Sequence, residues 1–218
     1  MIRPLAAAAQ HTAADTRAIL LSAAAREIHH YGFQAASLAR ILADSGVTKG
    51  ALYHHFPSKL ALGYAVLEER YAPLLRQTWI APLARAGSDP IDVLVAIISA
   101  AGERMTLQDI GLGCPVNNLA QEMSAVEPGF RMRIEALFEE WRAAIAAALM
   151  RASQEQRLRP GIDPHAVACF VVASLEGCVG MAKNAQSKKI LRKCGAGLID
   201  YLQSLRLTGR TRSGKKHV

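Results

Sequence analysis

Between Ser37 and Lys59 the chain gathers side chains suited to gripping a polyanion rather than to breaking a bond. Lys49 can reach a base edge or a phosphate. The Tyr53 hydroxyl and the His55 ring can donate to phosphate oxygens, the commonest protein contacts on a duplex, and His54 is presented beside them. Gly50 and Ala51 carry almost no side chain, so a backbone at that point can approach base edges closely. Lys59 falls in the first turn of a following helix, where free amides and charge both favour a phosphate. Chemistry of other kinds finds no residues to do it. No nucleophile–base–acid set, no metal-ligand spacing and no metal site is found, and Gly111-Leu-Gly113 is too short a glycine pattern to hold a nucleotide. No cofactor is implied.

The elements that must position these residues can be read around them. Ser37 is an N-cap, and Leu38, Ile41 and Leu42 follow at helical spacing. Gly46 ends that helix in a left-handed conformation, and Val47 plugs the joint. Thr48 caps a second short helix with Leu52 and Phe56 turned inward, and Ser58 caps a longer third. Two short helices joined by a glycine turn make a helix-turn-helix, whose second helix enters the major groove. Ser37, Thr48, Lys49, Gly50, Ala51, Tyr53, His54, His55 and Lys59 are therefore the candidate DNA-binding residues.

The run GVTKGALYHHFPSK, preceded by ASLARILADS and by Tyr31-Gly32-Phe33, resembles the N-terminal domain of the TetR (tetracycline-repressor) family over about fifty residues. Leu42 departs from the small residue usual there, which implies local repacking. The resemblance implies a transcriptional regulator acting as a homodimer on a double-stranded operator, with a second domain that binds a small-molecule inducer.

Composition agrees with helices. The 218 residues can bury a real core, hydrophobic content is 51% with only 6% aromatic, and alanine dominates. The expectation is an all-α protein of about nine helices, divided as a flexible arm (1–12), a DNA-binding domain (13–62), a ligand-binding and dimerisation domain (63–207) and a basic tail (208–218). Cys114, Cys169, Cys178 and Cys194 lack paired spacing, and no secretory signal precedes them, so reduced thiols in the cytoplasm are expected. The apolar stretch Ala166 to Ala182, interrupted by Glu176 and two glycines, is shorter than the ~20 residues of a membrane span. It is read as a buried helix, with no membrane partner. The net charge of +8 suits a nucleic acid but is spread unevenly. Residues 1–62 carry 6 Lys/Arg against 3 Asp/Glu, residues 63–182 carry 10 against 14, and residues 183–218 carry 10 against 1. The motif, not the charge, therefore marks the DNA-reading part.

Along the chain, helices are expected at Ala13 to Tyr31, from Ser58 until Pro73 and Pro82 kink or end it, and at Ile91 to Leu107 after the Asp89-Pro90 cap. Asp109 to Gly113 reads as a loop. Further helices run over Val116 to Ser124, Glu127 to about Leu158, Asp163 to Lys183 and from Ser187 onward. Gly177, Gly180, Gly195 and Gly197 are costly inside the last two helices unless another helix approaches closely, so these two helices are the expected dimer surface.

Met105, Cys114, Phe138, Trp141, Phe170, Glu176 and Met181 are the candidate ligand-binding set, Trp141 and Glu176 because each needs a polar partner when buried. Cys114 follows a glycine-rich loop and precedes Pro115 at a helix start, where the dipole favours thiolate. The stretch GCPVNNLAQEMS is similar to the branch of the family that includes the N-ethylmaleimide-responsive repressor, which implies a redox- or electrophile-sensing role for Cys114. A structural cysteine is the other reading. Lys188, Lys189, Arg192, Lys193, Arg206, Arg210, Arg212, Lys215 and Lys216 form a basic end that is either solvated or a weak DNA tether. The functional alternatives are a DNA-binding regulator without an inducer, nucleoid-like or activating, and an electrophile-processing enzyme that kept a helix-turn-helix.

Overall fold

The computed structural model describes residues 12–85 and 87–207. Among these the chain is helical, as expected, and divides into two compact units. Residues 1–11 of the expected arm and Arg210, Arg212, Lys215 and Lys216 of the basic end lie outside the described residues.

The first unit comprises residues up to Pro73 together with Pro115–Ile134. Helix α1 (Ala13–Tyr31) starts at a capping box between Thr12 and Asp15 and stops at Gly32, whose φ of +80° suits glycine. It buries Leu20, Leu21, Ala23, Ala24 and Ile28, and α2 (Leu38–Ser45), α3 (Lys49–His55) and α4 (Lys59–Val66) pack on it. The second chain segment of this unit adds α9 (Pro115–Met123) and the start of α10 (Pro128–Gln154). Phe130, fully buried, packs edge to face with Phe33 and Tyr64, with ring centres 4.8 Å and 4.9 Å away. Gly63 admits this cluster, because a Cβ there would lie 2.4 Å from the Phe33 ring.

Beyond α4 the helix does not end at its prolines. A π-helical turn at Leu67–Tyr71 leads into α5 (Ala72–Leu75), and a second at Arg76–Ile80 leads into α6 (Ala81–Leu83). Each π turn sits where the proline ring of Pro73 or Pro82 meets the carbonyl four residues earlier. The widened turn accommodates that ring and the missing N–H, so the expected break is a local change of pitch.

The second unit holds α7 (Pro90–Arg104), α8 (Leu107–Leu112), α10 from Glu135 onward, α11 (Pro164–Ala185) and α12 (Lys188–Ser204). Asp89 and Asp163 cap α7 and α11 as their Asp-Pro pairs predict. The segment expected as a loop at Asp109 to Gly113 belongs to α8. A second capping box, Thr106 with Asp109, starts it, and Gly113 at φ +74° ends it. Helix α12 lies against α11 and α7, and cations from the basic end hold both ends of α7. Lys188 Nζ donates to the Glu103 carbonyl at 2.7 Å, and Arg206 pairs with Asp92 at 2.5 Å and Asp89 at 3.4 Å. That part of the basic end is structural. Helix α11 is, by length and composition, apolar enough to cross a membrane, and only a third of its most apolar stretch is buried within the chain.

Candidate nucleic-acid interface and regulatory interior

The joint between α2 and α3 is built from local hydrogen bonds. The Ser37 backbone N–H donates to Glu27 at 2.9 Å, while the Ser37 hydroxyl accepts from the Arg40 amide at 3.4 Å. Arg40 returns to Glu27 through Nε at 2.7 Å, and its guanidinium lies 4.3 Å over the Tyr31 ring. Gly46 takes φ +66° at the end of α2. Thr48 accepts the Ala51 amide at 3.3 Å and so starts α3. Ser37 and Thr48 are thus committed to capping, which fixes the pose of the helices they begin.

Helix α3 is anchored by Leu52, fully buried, and by Phe56 just beyond it. Its opposite side presents Lys49, Gly50, Tyr53 and His54 to solvent, with Ala51 and His55 half-buried at the edges. The Gly50 surface is bare: an added Cβ there would meet nothing within 4 Å. The fold therefore does not require a glycine at this position. Lys59, in the first turn of α4 as expected, also has partners within the chain. Its ammonium donates to the Gln34 carbonyl at 2.9 Å and lies 5.1 Å over the Phe33 ring, tying α4 to the link before α2. Two of its three N–H donors remain for another acceptor.

Glu122 on α9 was invisible to sequence reasoning. Its carboxylate accepts the backbone amides of Phe33 and Gln34, each at 2.8 Å, in the link between α1 and α2. Gly32 is also required sterically, since a Cβ there would sit 2.8 Å from Glu122. Glu127 accepts from the Tyr64 hydroxyl and from the Phe130 amide. The available signal was Gly63 inside an apolar helix, a mark of close approach.

In the second unit the seven candidate ligand residues divide between the interior and the surface. Cys114 and Glu176 are brought together: the Cys114 thiol donates to the Glu176 carboxylate. Burial pushes that carboxyl up to about 7, only partly offset by the thiol, and Glu176 Oε2 has no partner among the described residues. Trp141 is 1% exposed, its ring 5.1 Å from that of Trp79 and its Nε1 also without a partner. Phe138 is half-buried, and Met105 packs on Ile110, Ala182 and Leu191. Phe170 and Met181 instead face outward, 50% and 60% exposed. At about 100° per residue, Glu176 lies roughly a third of a turn around α11 from both, so one helix cannot aim all three inward. Phe170 and Met181 line an open groove of about 320 Å³ with Gly177, Cys178, Cys194 and Tyr201. Of the glycines expected at a helix interface, Gly195 faces Ile98 inside the chain, where an added Cβ would lie 3.3 Å away, whereas Gly177, Gly180 and Gly197 are open.

A helix-turn-helix with a bare, cation-bearing outer surface, joined in sequence to a larger helical unit, defines a DNA-binding regulator. Residues 20–66 match bacterial regulatory proteins of the tetR family, and residues 90–196 match the C-terminal domain of LmrA/YxaF-like transcriptional regulators. The chain is 30% identical over 171 residues to the transcriptional regulator AcuR of Cereibacter sphaeroides, covering 75% of this chain and 74% of that one. It is 41% identical over 63 residues to the transcriptional repressor NemR of Escherichia coli K12, 29% of this chain and 32% of NemR. A solved TetR transcriptional regulator from Chloroflexus aurantiacus superposes with a TM-score of 0.79 at 27% identity, over 90% of this chain and 98% of that one. The chain belongs to the TetR family of transcriptional regulators. The similarity to NemR falls in the branch that the stretch around Cys114 suggests.

Proposed function

We propose that the protein is a cytoplasmic homodimeric repressor that reads one operator half-site with each α3 and releases it when a small molecule enters the second unit. Residues 13–62 would read DNA, and residues 63–207 would sense and pair. Lys49, Gly50, Ala51, Tyr53 and His54 face the duplex in this reading. Ser37 and Thr48 set the helix poses, and His55 and Lys59 meet the phosphates beside them. The observation that carries it is the bare surface of α3 at Gly50, a glycine that the packing of the chain itself does not demand. Pairing through α11 and α12 rests on the outward Phe170 and Met181 and on three open glycines. Half-sites would then stand roughly 34–36 Å apart, and an inducer would shift the population away from that spacing. Selection of bound duplexes from random sequence tests the reading. A two-fold symmetric site is expected, whereas binding of all duplexes alike would support a nucleoid-like protein.

A second reading concerns the trigger. The hydrogen bond between Cys114 and Glu176 favours a sensor in which an electrophile alkylates Cys114, breaks that contact and loosens the operator complex. N-ethylmaleimide should release operator DNA from the wild type and not from Cys114→Ser. Equal release from both proteins rejects the sensor and leaves a reversible inducer.

A further inference from the structure

Two other thiols meet on the outer face of the second unit. Cys178 of α11 and Cys194 of α12 are free, half-buried and in hydrogen-bonding contact, and both line the open groove. The rest of the groove is largely apolar: Phe170, Met181, Leu198 and Tyr201, with the Phe170 and Tyr201 rings edge to face at 4.7 Å.

We propose that Cys178 and Cys194 form a dithiol site that chelates a trivalent organoarsenical, both sulfurs bonding to one arsenic atom. The reagent class follows from what the groove offers. A structural zinc ion takes four ligands, and the described residues hold no cluster of three or more His, Cys, Asp or Glu. A disulfide would require the sulfurs to close to about 2.05 Å across two packed helices. A bridging atom joins them with less movement of either backbone. Burial, with the neighbouring Cys194 sulfur, pushes the Cys178 thiol up to about 11, so it keeps its proton at neutral pH. Reagents that need a preformed thiolate are therefore disfavoured there. An arsenical that removes both thiol protons as water is not. With an arsine oxide, two As–S bonds form, the As–O bond breaks, and the oxygen leaves as water with the two protons. Arsenic stays trivalent. The aromatic and aliphatic lining suits an aryl or alkyl group on the arsenic.

The groove is part of the face assigned above to pairing, and one consequence rests on that assignment: the adduct forms from unpaired protomers, faster as the protein is diluted. The test uses the full chain and phenylarsine oxide at nanomolar to micromolar protein. The expected result is one arsenical per chain with loss of two titratable thiols, mapped to Cys178 and Cys194. The adduct should resist excess monothiol on the order of a hundredfold longer than a single As–S bond does, because the second bond closes within one molecule. 2,3-Dimercaptopropanol should remove it. Cys178→Ser and Cys194→Ser should each reduce it to a monothiol-reversible adduct, while the Cys114→Ser/Cys169→Ser double variant keeps the chelate. A monothiol-reversible adduct in the wild type, or a chelate mapping to Cys114 or Cys169, overturns the proposal. A chelate at Cys178 and Cys194 whose rate ignores dilution upholds the dithiol site and moves the pairing face elsewhere.

Discussion

Gly50 is not demanded by the packing of its own fold, and the proposed approach of operator bases would account for it. Its exposed Cα has open space around it, so Gly50→Ala should raise the melting temperature, helix propensity favouring alanine by about 0.5–1 kcal/mol. Gly50→Leu should fold equally and lose operator binding, because the added side chain stands where the backbone must near the bases. Thermal melts and a duplex titration of the same preparations separate the two effects. Glu176 gives a second prediction, with its sign set by linkage. Its carboxyl is raised to about 7 in the folded chain, so folding takes up a proton that the unfolded chain has already lost. Stability therefore falls as pH rises from the ordinary carboxylate range to about 7 and stays reduced above it. Glu176→Gln removes this term and should stabilise the protein by up to ~3 kcal/mol at pH 8, with little change near pH 4. Denaturant melts at the two pH values check it, and a pH-independent difference would reject the buried-acid assignment.

At the scale of elements, α9 carries the less obvious design. Its Glu122 holds the amides of Phe33 and Gln34, the tract that leads from α1 into the DNA-reading pair. Glu122→Ala leaves the part-buried Phe33 amide without its acceptor and should cost about 1–2 kcal/mol. Hydrogen exchange should quicken at Phe33 and Gln34 first, and operator affinity should drop although Glu122 touches no DNA. Gly63→Ala tests the neighbouring packing: its methyl would collide with the Phe33 ring, an overpacking that costs about 1–3 kcal/mol. The caps at Ser37, Thr48, Ser58, Asp89 and Asp163 were legible, because capping depends on residues within three positions. Helix α8 was equally legible in Thr106-Leu-Gln-Asp109, but Gly111 and the Gly113 that ends it give the segment the look of a loop. The π turns before Pro73 and Pro82 were not, since proline predicts a disturbance without saying whether the helix breaks or widens.

For the whole molecule the decisive surface is the outward face of α11 and α12. Exposed Phe170 and Met181 on a helix of high apolar content are costly in water, and a second copy would cover them. Met181→Glu should shift the protein from dimer to monomer in sedimentation while leaving its helical circular dichroism unchanged. Operator affinity should fall steeply with that shift, because each subunit then binds one half-site alone. A mutant that stays dimeric would place the pairing surface elsewhere. The overall positive charge helps less than its size suggests. Lys188 and Arg206 are already engaged with the ends of α7, so they add little to any DNA tether.

The helix-turn-helix, its caps and its exposed residues were determined by the sequence alone, because each depends on neighbours a few positions away. A glycine, a hydroxyl or an apolar period acts over one helical turn, and the chain spells out that distance. Tertiary structure alone decided the meeting of Glu122 with Phe33, of Cys114 with Glu176 and of Cys178 with Cys194. It also decided that Phe170 and Met181 look outward. Those outcomes depend on which face each helix turns toward partners far away in the chain, and burial of whole faces, not local spacing, sets that rotation.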